Sequence, residues 1–298
     1  MTVQRRAEIV AGGFTLLEGP RWHDGVLWCS DFYTHRVLRF DVPSAGRVEA
    51  ETVCIVEGRP SGLGFMPDGE LRISSMLDKR LLAWNGSSHE VVADYSDLVS
   101  GPGNDLLIDS VGNAFVGNFG LDPADDTIAR PTDLLRIAPD GTITVAADDV
   151  VFPNGMVLDE DAGLLYAVES FRARISVWDY ADGKLTGRRT WVSFADDPGA
   201  YPILALTASL PVLPDGIARD AEGMMWVADA KGHGAMRIDG SGNVLEFIET
   251  GLSTYALVLG GADGRDLYLC CAPATETWNR LGAARSVLMH CRVDVTAA

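Results

Sequence analysis

Short apolar stretches separated by turn-forming residues recur along the whole chain, and no segment sustains a helical period. Runs such as Val26–Leu27–Trp28–Cys29 and Met225–Trp226–Val227–Ala228 have the length and composition of strands packed between neighbouring sheets. Turns at Pro67-Asp68-Gly69, Pro139-Asp140-Gly141 and Asp239-Gly240 supply the positive-φ positions that tight hairpins need. Six segments share this design and begin at Gly19, Pro60, Pro102, Pro153, Pro214 and near Thr254. Each opens on a small residue or proline with a short apolar stretch, then a glycine-containing turn, then an apolar strand. Several have room for a fourth strand, such as Val244–Ile248 in the fifth.

Four-stranded antiparallel units repeated about every forty residues are the blades of a β-propeller. The pattern therefore predicts an all-β, six-bladed propeller around a central channel, built as a single domain over residues 1–298. The sixth unit has only three evident strands, whereas Ala7–Ala11 is strand-like and unassigned. This stretch is expected to supply the missing strand of the last blade and so remove an open sheet edge. Two insertions break the period, Leu121–Thr132 and Ala195–Leu213. The second is apolar for a loop, which predicts that it packs over another part of the protein.

The chain carries 42 acidic and 24 basic residues, a formal charge of −18. Such a surface repels phosphate backbones and anionic lipid, so the expected partner is a small-molecule substrate, with no nucleic acid and no membrane. No stretch approaches the ~18 apolar residues of a membrane span. The N-terminal sequence lacks the apolar run of a secretory signal. The five cysteines, Cys29, Cys54, Cys270, Cys271 and Cys291, form no C-x-x-C pair and read as buried free thiols. These features predict a cytoplasmic protein. Cys270 and Cys271, adjacent on one strand, are expected to face opposite sides of the sheet.

In a propeller the starts of the innermost strands meet at one mouth of the channel. Four units place an oxygen-bearing side chain there: Glu18, Asn104, Asn154 and Asp215. The other two offer Ser61 and Thr254. Two carboxylates and two amide oxygens suit a hard divalent cation. Taken singly, Pro153-Asn154-Gly155 and Pro214-Asp215-Gly216 are also ordinary turn sequences.

The passages Glu18-Gly19-Pro20-Arg21-Trp22, Pro153-Asn154-Gly155-Met156, Pro214-Asp215-Gly216-Ile217 with Asp220–Ala228, and Gly260–Asp263 with Asp266-Leu267-Tyr268 resemble the senescence marker protein/gluconolactonase/luciferin-regenerating enzyme family. The resemblance covers nearly the whole chain. It implies a six-bladed propeller with one catalytic divalent cation, Ca²⁺ first and Mn²⁺, Mg²⁺ or Zn²⁺ next. It implies Glu18, Asn154 and Asp215 as metal ligands, Asp215 as general base, and Asn104 beside metal and substrate. The sugar lactonases of this family carry an arginine two residues before the channel asparagine, where this chain has Pro102. The next strand ends in Gly117-Asn118-Phe119-Gly120 instead of the family's small-Thr-Met pattern. Phe119, Phe152, Phe171 and Tyr201 could give the mouth an aromatic lining, so a less polar lactone or ester stands open beside a sugar-type lactone. Phe119 and Ser170 are further substrate-contact candidates.

The implied chemistry is hydrolysis of a small lactone by metal-activated water. It needs no serine nucleophile, and no G-x-S-x-G elbow is present. Gly240-Ser241-Gly242 reads as a hairpin turn. The isolated His23, His35, His89, His233 and His290 fit no metal-ligand spacing. Arg172 and Arg174 read as ordinary loop charges, with an anion-binding role the lesser option. Two other activities remain open: phosphotriester hydrolysis on the same calcium propeller, and calcium binding without turnover.

Overall fold

The computed structural model describes residues 2–42, 48–121, 128–199, 202–273 and 284–298. The fold is the expected six-bladed β-propeller of four-stranded antiparallel blades. The N-terminal segment forms two strands, β1 (Val3–Arg6) and β2 (Glu8–Phe14). Blade 1 follows as β3 (Leu17–His23), β4 (Val26–Asp31), β5 (Arg36–Asp41) and β6 (Glu49–Ile55). Blade 2 is β7 (Pro60–Phe65), β8 (Leu71–Ser75), β9 (Arg80–Trp84) and β10 (His89–Asp94). Blade 3 is β11 (Gly103–Ile108), β12 (Ala114–Asn118), β13 (Thr132–Ile137) and β14 (Ile143–Val150). Blade 4 is β15 (Pro153–Asp159), β16 (Leu164–Glu169), β17 (Arg174–Ala181) and β18 (Lys184–Ser193). Blade 5 is β19 (Pro214–Arg219), β20 (Met225–Asp229), β21 (Gly234–Ile238) and β22 (Val244–Glu249). Blade 6 is β23 (Ser253–Gly260), β24 (Asp266–Ala272) and β25 (Ser286–Arg292), completed by β2.

The chain divides into two compact units, Met1–Arg59 with Val212–Ala298 and Pro60–Pro211. The first holds blades 1, 5 and 6, with β23 lying against both β3 and β19. The second holds blades 2, 3 and 4, with β11 lying against both β7 and β15. In each unit the first strand of every blade is thus the one that meets its neighbours' first strands.

The packing follows from the two-residue period of a strand. In β24, Leu267, Leu269 and Cys271 join Trp226, Ala228 and Ile248 of blade 5. The alternate residues Tyr268 and Cys270 join Leu17, Leu27, Cys29 and Leu38 of blade 1. Both faces of the strand are buried, and the two adjacent cysteines do face opposite sides. All five cysteines are free and buried. The second unit repeats the pattern: Phe115 packs toward Leu165 and Trp178 of blade 4, while Ala114 and Val116 pack toward Leu81 and Tyr95 of blade 2.

The expected closure of the last blade is found, with β2 antiparallel to β25. The preceding strand was not expected. β1 pairs in parallel with β22, giving blade 5 a fifth strand. The Ala195–Leu213 insertion also differs from expectation, since it contains a short helix, α1 (Ile203–Ser209). Leu210 is buried, but Pro202, Ala205, Ala208, Ser209 and Pro211 are exposed, so apolar composition here does not mean coverage. A bridge joins this insertion to the other at Ile128 and Pro202. Tyr201 lies outside the described residues. In the Asp239 turn the positive-φ glycine is Gly242, with Gly242 N–H donating to Asp239 C=O, and not the expected Gly240.

Among the described residues no helix is long and apolar enough to cross a membrane.

Candidate metal and substrate site

Strand register tests whether the six candidate positions are equivalent. Leu17 pairs with Asp31, Pro153 with Glu169, and Pro214 with Asp229. Pro60 pairs with Ser75, Gly103 with Asn118, and Ser253 with Ala272. In each blade the first residue of the innermost strand faces the last residue of the second strand. The candidate is always the next residue: Glu18, Ser61, Asn104, Asn154, Asp215 and Thr254. In blades 1 and 6 the ladder breaks just after the candidate and in the other four at it, and pairing resumes two or three residues beyond the candidate. Each candidate therefore sits at a β-bulge, a device that re-aims side chains at the rims of sheets.

Asn154 and Asp215 lie within strands, so the turn reading of their Pro-x-Gly sequences does not hold. The glycine that follows serves close packing of the innermost strands. A Cβ on Gly216 would come within 2.7 Å of Ala256 Cα, and one on Gly62 would collide with the backbone of Leu106.

Within the second unit hydrogen bonds join two of the candidates and anchor the third. Ser61 Oγ donates to Asn104 Oδ1 at 3.4 Å, and Asn104 Nδ2 donates to the Pro153 carbonyl at 3.4 Å. Asn154 Nδ2 donates to Ser170 Oγ at 3.2 Å. With its nitrogen committed to Ser170, Asn154 has Oδ1, the harder donor, to offer a cation. Beside these bonds Phe119, Phe152 and Phe171 lie in sequence with their rings tilted to one another, centroids 4.6 Å and 4.8 Å apart. All three rings are buried. Phe152 holds φ at +53° immediately before Pro153, a backbone region that a bulky side chain rarely occupies. Strain of this kind persists where the surroundings over-determine it.

The first unit carries the two carboxylates. Asp215 is buried, and Glu18 is half-buried with Oε2 accepting from the Gly19 N–H at 3.2 Å. The Cys270 thiol is held well above its ordinary pKa by its contact with Cys29 and by burial, with Glu18 a smaller contributor. Thr254 is fully buried and shares hydrogen bonds with Thr250 at 3.2 Å and Cys271 at 3.5 Å, so its hydroxyl serves the core. Among the described residues no group of three or more His, Cys, Asp or Glu forms a metal cluster. A cation at this end of the blades would rely on amide oxygen as well as carboxylate.

Arg172 and Arg174 are not loop charges. Arg172 is buried and contacts Glu169 at 2.9 Å and Asp149 at 3.1 Å; Arg174 contacts Glu169 at 2.8 Å. Arg188 adds a third guanidinium to Glu169 at 2.7 Å. Neither Arg172 nor Arg174 is left for an external anion, because a buried carboxylate claims both. Asp31, Glu169 and Asp229 each close the second strand of a blade that bears a candidate ligand, a placement that only the strand pairing makes evident.

The family described as SMP-30/Gluconolactonase/LRE-like region matches residues 16–272. The chain belongs to this family. The pentonolactonase XacC of Haloferax volcanii is 28% identical over 316 residues, covering 100% of this chain and 96% of that protein. Regucalcin of Xenopus laevis is 25% identical over 282 residues, covering 91% and 89%. The crystal structure of a calcium-binding protein, regucalcin from Agrobacterium tumefaciens, superposes with a TM-score of 0.78 at 17% identity, covering 100% and 98%. That last likeness establishes the propeller of this family member and nothing finer.

Proposed function

We propose that this family member is a divalent-metal-dependent lactonase, with Glu18, Asn154 and Asp215 as the protein ligands of one cation, Ca²⁺ first among candidates. The supporting observation is the common register of these three residues at the bulge of their innermost strands. Their donor set fits such an ion, since all offer oxygen and none offers sulfur or imidazole. When bound, the cation would polarise the lactone carbonyl and lower the pKa of water.

The chain's own groups do the rest. The Asp215 carboxylate accepts the proton of the attacking water as general base. Asn104, held between Ser61 and the Pro153 carbonyl, orients the substrate without a change of rotamer. Ser170 fixes the face that Asn154 presents and contacts substrate. The row of rings at Phe119 supplies an apolar wall that excludes water. Pro102 cannot donate a hydrogen bond where sugar lactonases of the family place arginine. These two features together favour a small lactone poorer in hydroxyl groups than an aldonolactone.

The deciding experiment strips the protein with chelator and restores Ca²⁺, Mn²⁺, Mg²⁺ or Zn²⁺ in turn. It assays lactones of graded ring size and polarity, with a phosphotriester alongside. Turnover of lactones only with metal, and its loss in Asp215→Asn with folding intact, is the expected result. Undiminished hydrolysis in chelator overturns the reading. Phosphotriester turnover without lactone turnover assigns the same ligands to a different reaction. Metal-raised thermal stability with every substrate intact identifies a binding protein.

A further inference from the structure

The second strands of the blades end differently, and the difference follows the proposed ligands. The blades bearing Glu18, Asn154 and Asp215 end their second strands in Asp31, Glu169 and Asp229. The other three end in Ser75, Asn118 and Ala272. Each of the three carboxylates reaches back to the chain leading into its own ligand. Asp31 Oδ1 accepts from the backbone N–H of Thr15 at 2.9 Å and Leu16 at 3.1 Å. Glu169 Oε2 accepts from Val151 N–H at 3.1 Å. Asp229 Oδ1 accepts from Leu213 N–H at 3.1 Å. The held residue lies two or three positions before Glu18, Asn154 or Asp215.

Asn118, at the same place in blade 3, behaves otherwise. Its Oδ1 accepts from Gly120 N–H and Thr132 Oγ1, and its Nδ2 donates to Asp133 C=O, all on the outer side of its own blade. Its lead-in segment keeps the backbone bond from Phe119 N–H to Pro102 C=O, and the ligand-bearing blades make the same bond from Phe32 to Leu16, Ser170 to Phe152 and Ala230 to Leu213, so the carboxylate is what they add.

We infer that Asp31, Glu169 and Asp229 are positioning residues that fix the backbone of the three ligands. The inference rests on the ligand set proposed above. Its physical basis is the bulge. Asn154 and Asp215 lie inside a break of the ladder and Glu18 directly before one, so regular pairing does not set the backbone beyond the ligand. The side-chain oxygen fixes it from the other side by accepting the backbone N–H of the residue two or three positions earlier. Charge itself is not the contribution. Asp31 is neutralised by Arg36 at 2.9 Å, and Glu169 by Arg172, Arg174 and Arg188. What reaches the ligand is geometry.

Asp229 is the position to test, because both of its main-chain donors, Leu213 and Lys231, bond to the same oxygen. Asparagine can reproduce that acceptor and alanine cannot. The affinity for Ca²⁺ is measured by titration calorimetry on the full chain, with the melting temperature of the metal-free protein recorded beside it. Asp229→Asn should retain affinity within a few-fold, whereas Asp229→Ala should bind roughly 10-fold or more weakly, the scale of outer-shell losses at metal sites. Ser75→Ala, at the same register position of blade 2, should bind as the unsubstituted chain does. Should Asp229→Ala fail to fold, Asp229→Ser replaces it, with a shorter side chain in the same place. Equal affinity in all variants with a lowered melting temperature makes the carboxylate purely structural and overturns the inference alone. Equal losses in Asp229→Asn and Asp229→Ala make it a matter of charge and overturn it too. No Ca²⁺ binding by the unsubstituted chain overturns the proposed ligand set as well, which separates the two failures.

Discussion

Asn104 Nδ2 donates to the backbone carbonyl of Pro153 at 3.4 Å, so the residue that leads into Asn154 is held from the adjacent blade. Its Oδ1 accepts from Ser61, and one buried side chain thereby ties the innermost strands of blades 2, 3 and 4. Asn104→Asp replaces the donor with a second acceptor facing a carbonyl. The cost should be about 1–3 kcal/mol, that of an unsatisfied buried group, and greater than for Asn104→Leu, which leaves no opposed charge. Calorimetric melting of the two variants checks the order, and lactone kcat/KM should fall in both.

Phe152 combines an aromatic contact site with a backbone that favours glycine. Its ring lies between Phe119 and Phe171, and its φ of +53° precedes a proline. Losing a buried aromatic ring costs about 3–5 kcal/mol, whichever small residue replaces it. The strain returned differs, because only glycine occupies this region without penalty. Phe152→Gly should therefore be more stable than Phe152→Ala, by about 1 kcal/mol, the reverse of the order at an ordinary strand position. Urea unfolding of the pair decides it.

The blades were legible because each repeats one unit of sequence, and the candidate positions were legible as equivalent because they occupy one point in that unit. What escaped depended on pairing between distant segments. β1 reads Val3-Gln4-Arg5-Arg6, too polar to signal a strand, and is held by backbone bonds to β22 and by Arg5 contacts with Glu246 and Asp294. The seven residues of α1 are too few for a helical period to show. The role of Arg172 was hidden because Glu169 draws partners from Arg174, Ser176 and Arg188, brought together only by the pairing of β16, β17 and β18. The strand-ending acids themselves were visible in the sequence, but their meaning lies in which N–H groups they meet.

Glu169 gives the stability a definite dependence on pH. Burial alone would raise its pKa, but hydrogen bonds from Ser176, Arg174 and Arg188 outweigh burial and hold it at about 2, against an ordinary 4.5. The unfolded chain therefore binds the proton more readily than the folded one, so stability rises with pH across this window. The contribution is complete above pH 4.5 and is lost as pH falls toward 2. Glu169→Gln leaves three guanidinium groups without their carboxylate and should cost about 3–5 kcal/mol at neutral pH. The gap between the two proteins in urea unfolding should narrow at pH 3. A gap independent of pH would assign the loss to packing.

The N-terminal strands make separable contributions, because they cover different edges of the same unit. β1 adds a parallel strand to β22, the outer strand of blade 5. The sheets of blades 1 to 4 already end on β6, β10, β14 and β18, so uncovering β22 leaves blade 5 like the others. Removing residues 2–6 should lower the melting temperature modestly and leave the protein monodisperse. β2 is different, since it is the fourth strand of blade 6 and brings Ala11 and Phe14 into the core beside Tyr268 and Leu288. Removal through Phe14 exposes the unpaired backbone of β25 together with that apolar face. An edge of this kind recruits another chain. The longer truncation should therefore oligomerise on size-exclusion chromatography at concentrations where the shorter one does not. Adding a synthetic peptide of residues 7–14 should restore the single species, because it supplies the missing ladder and the missing core in one piece.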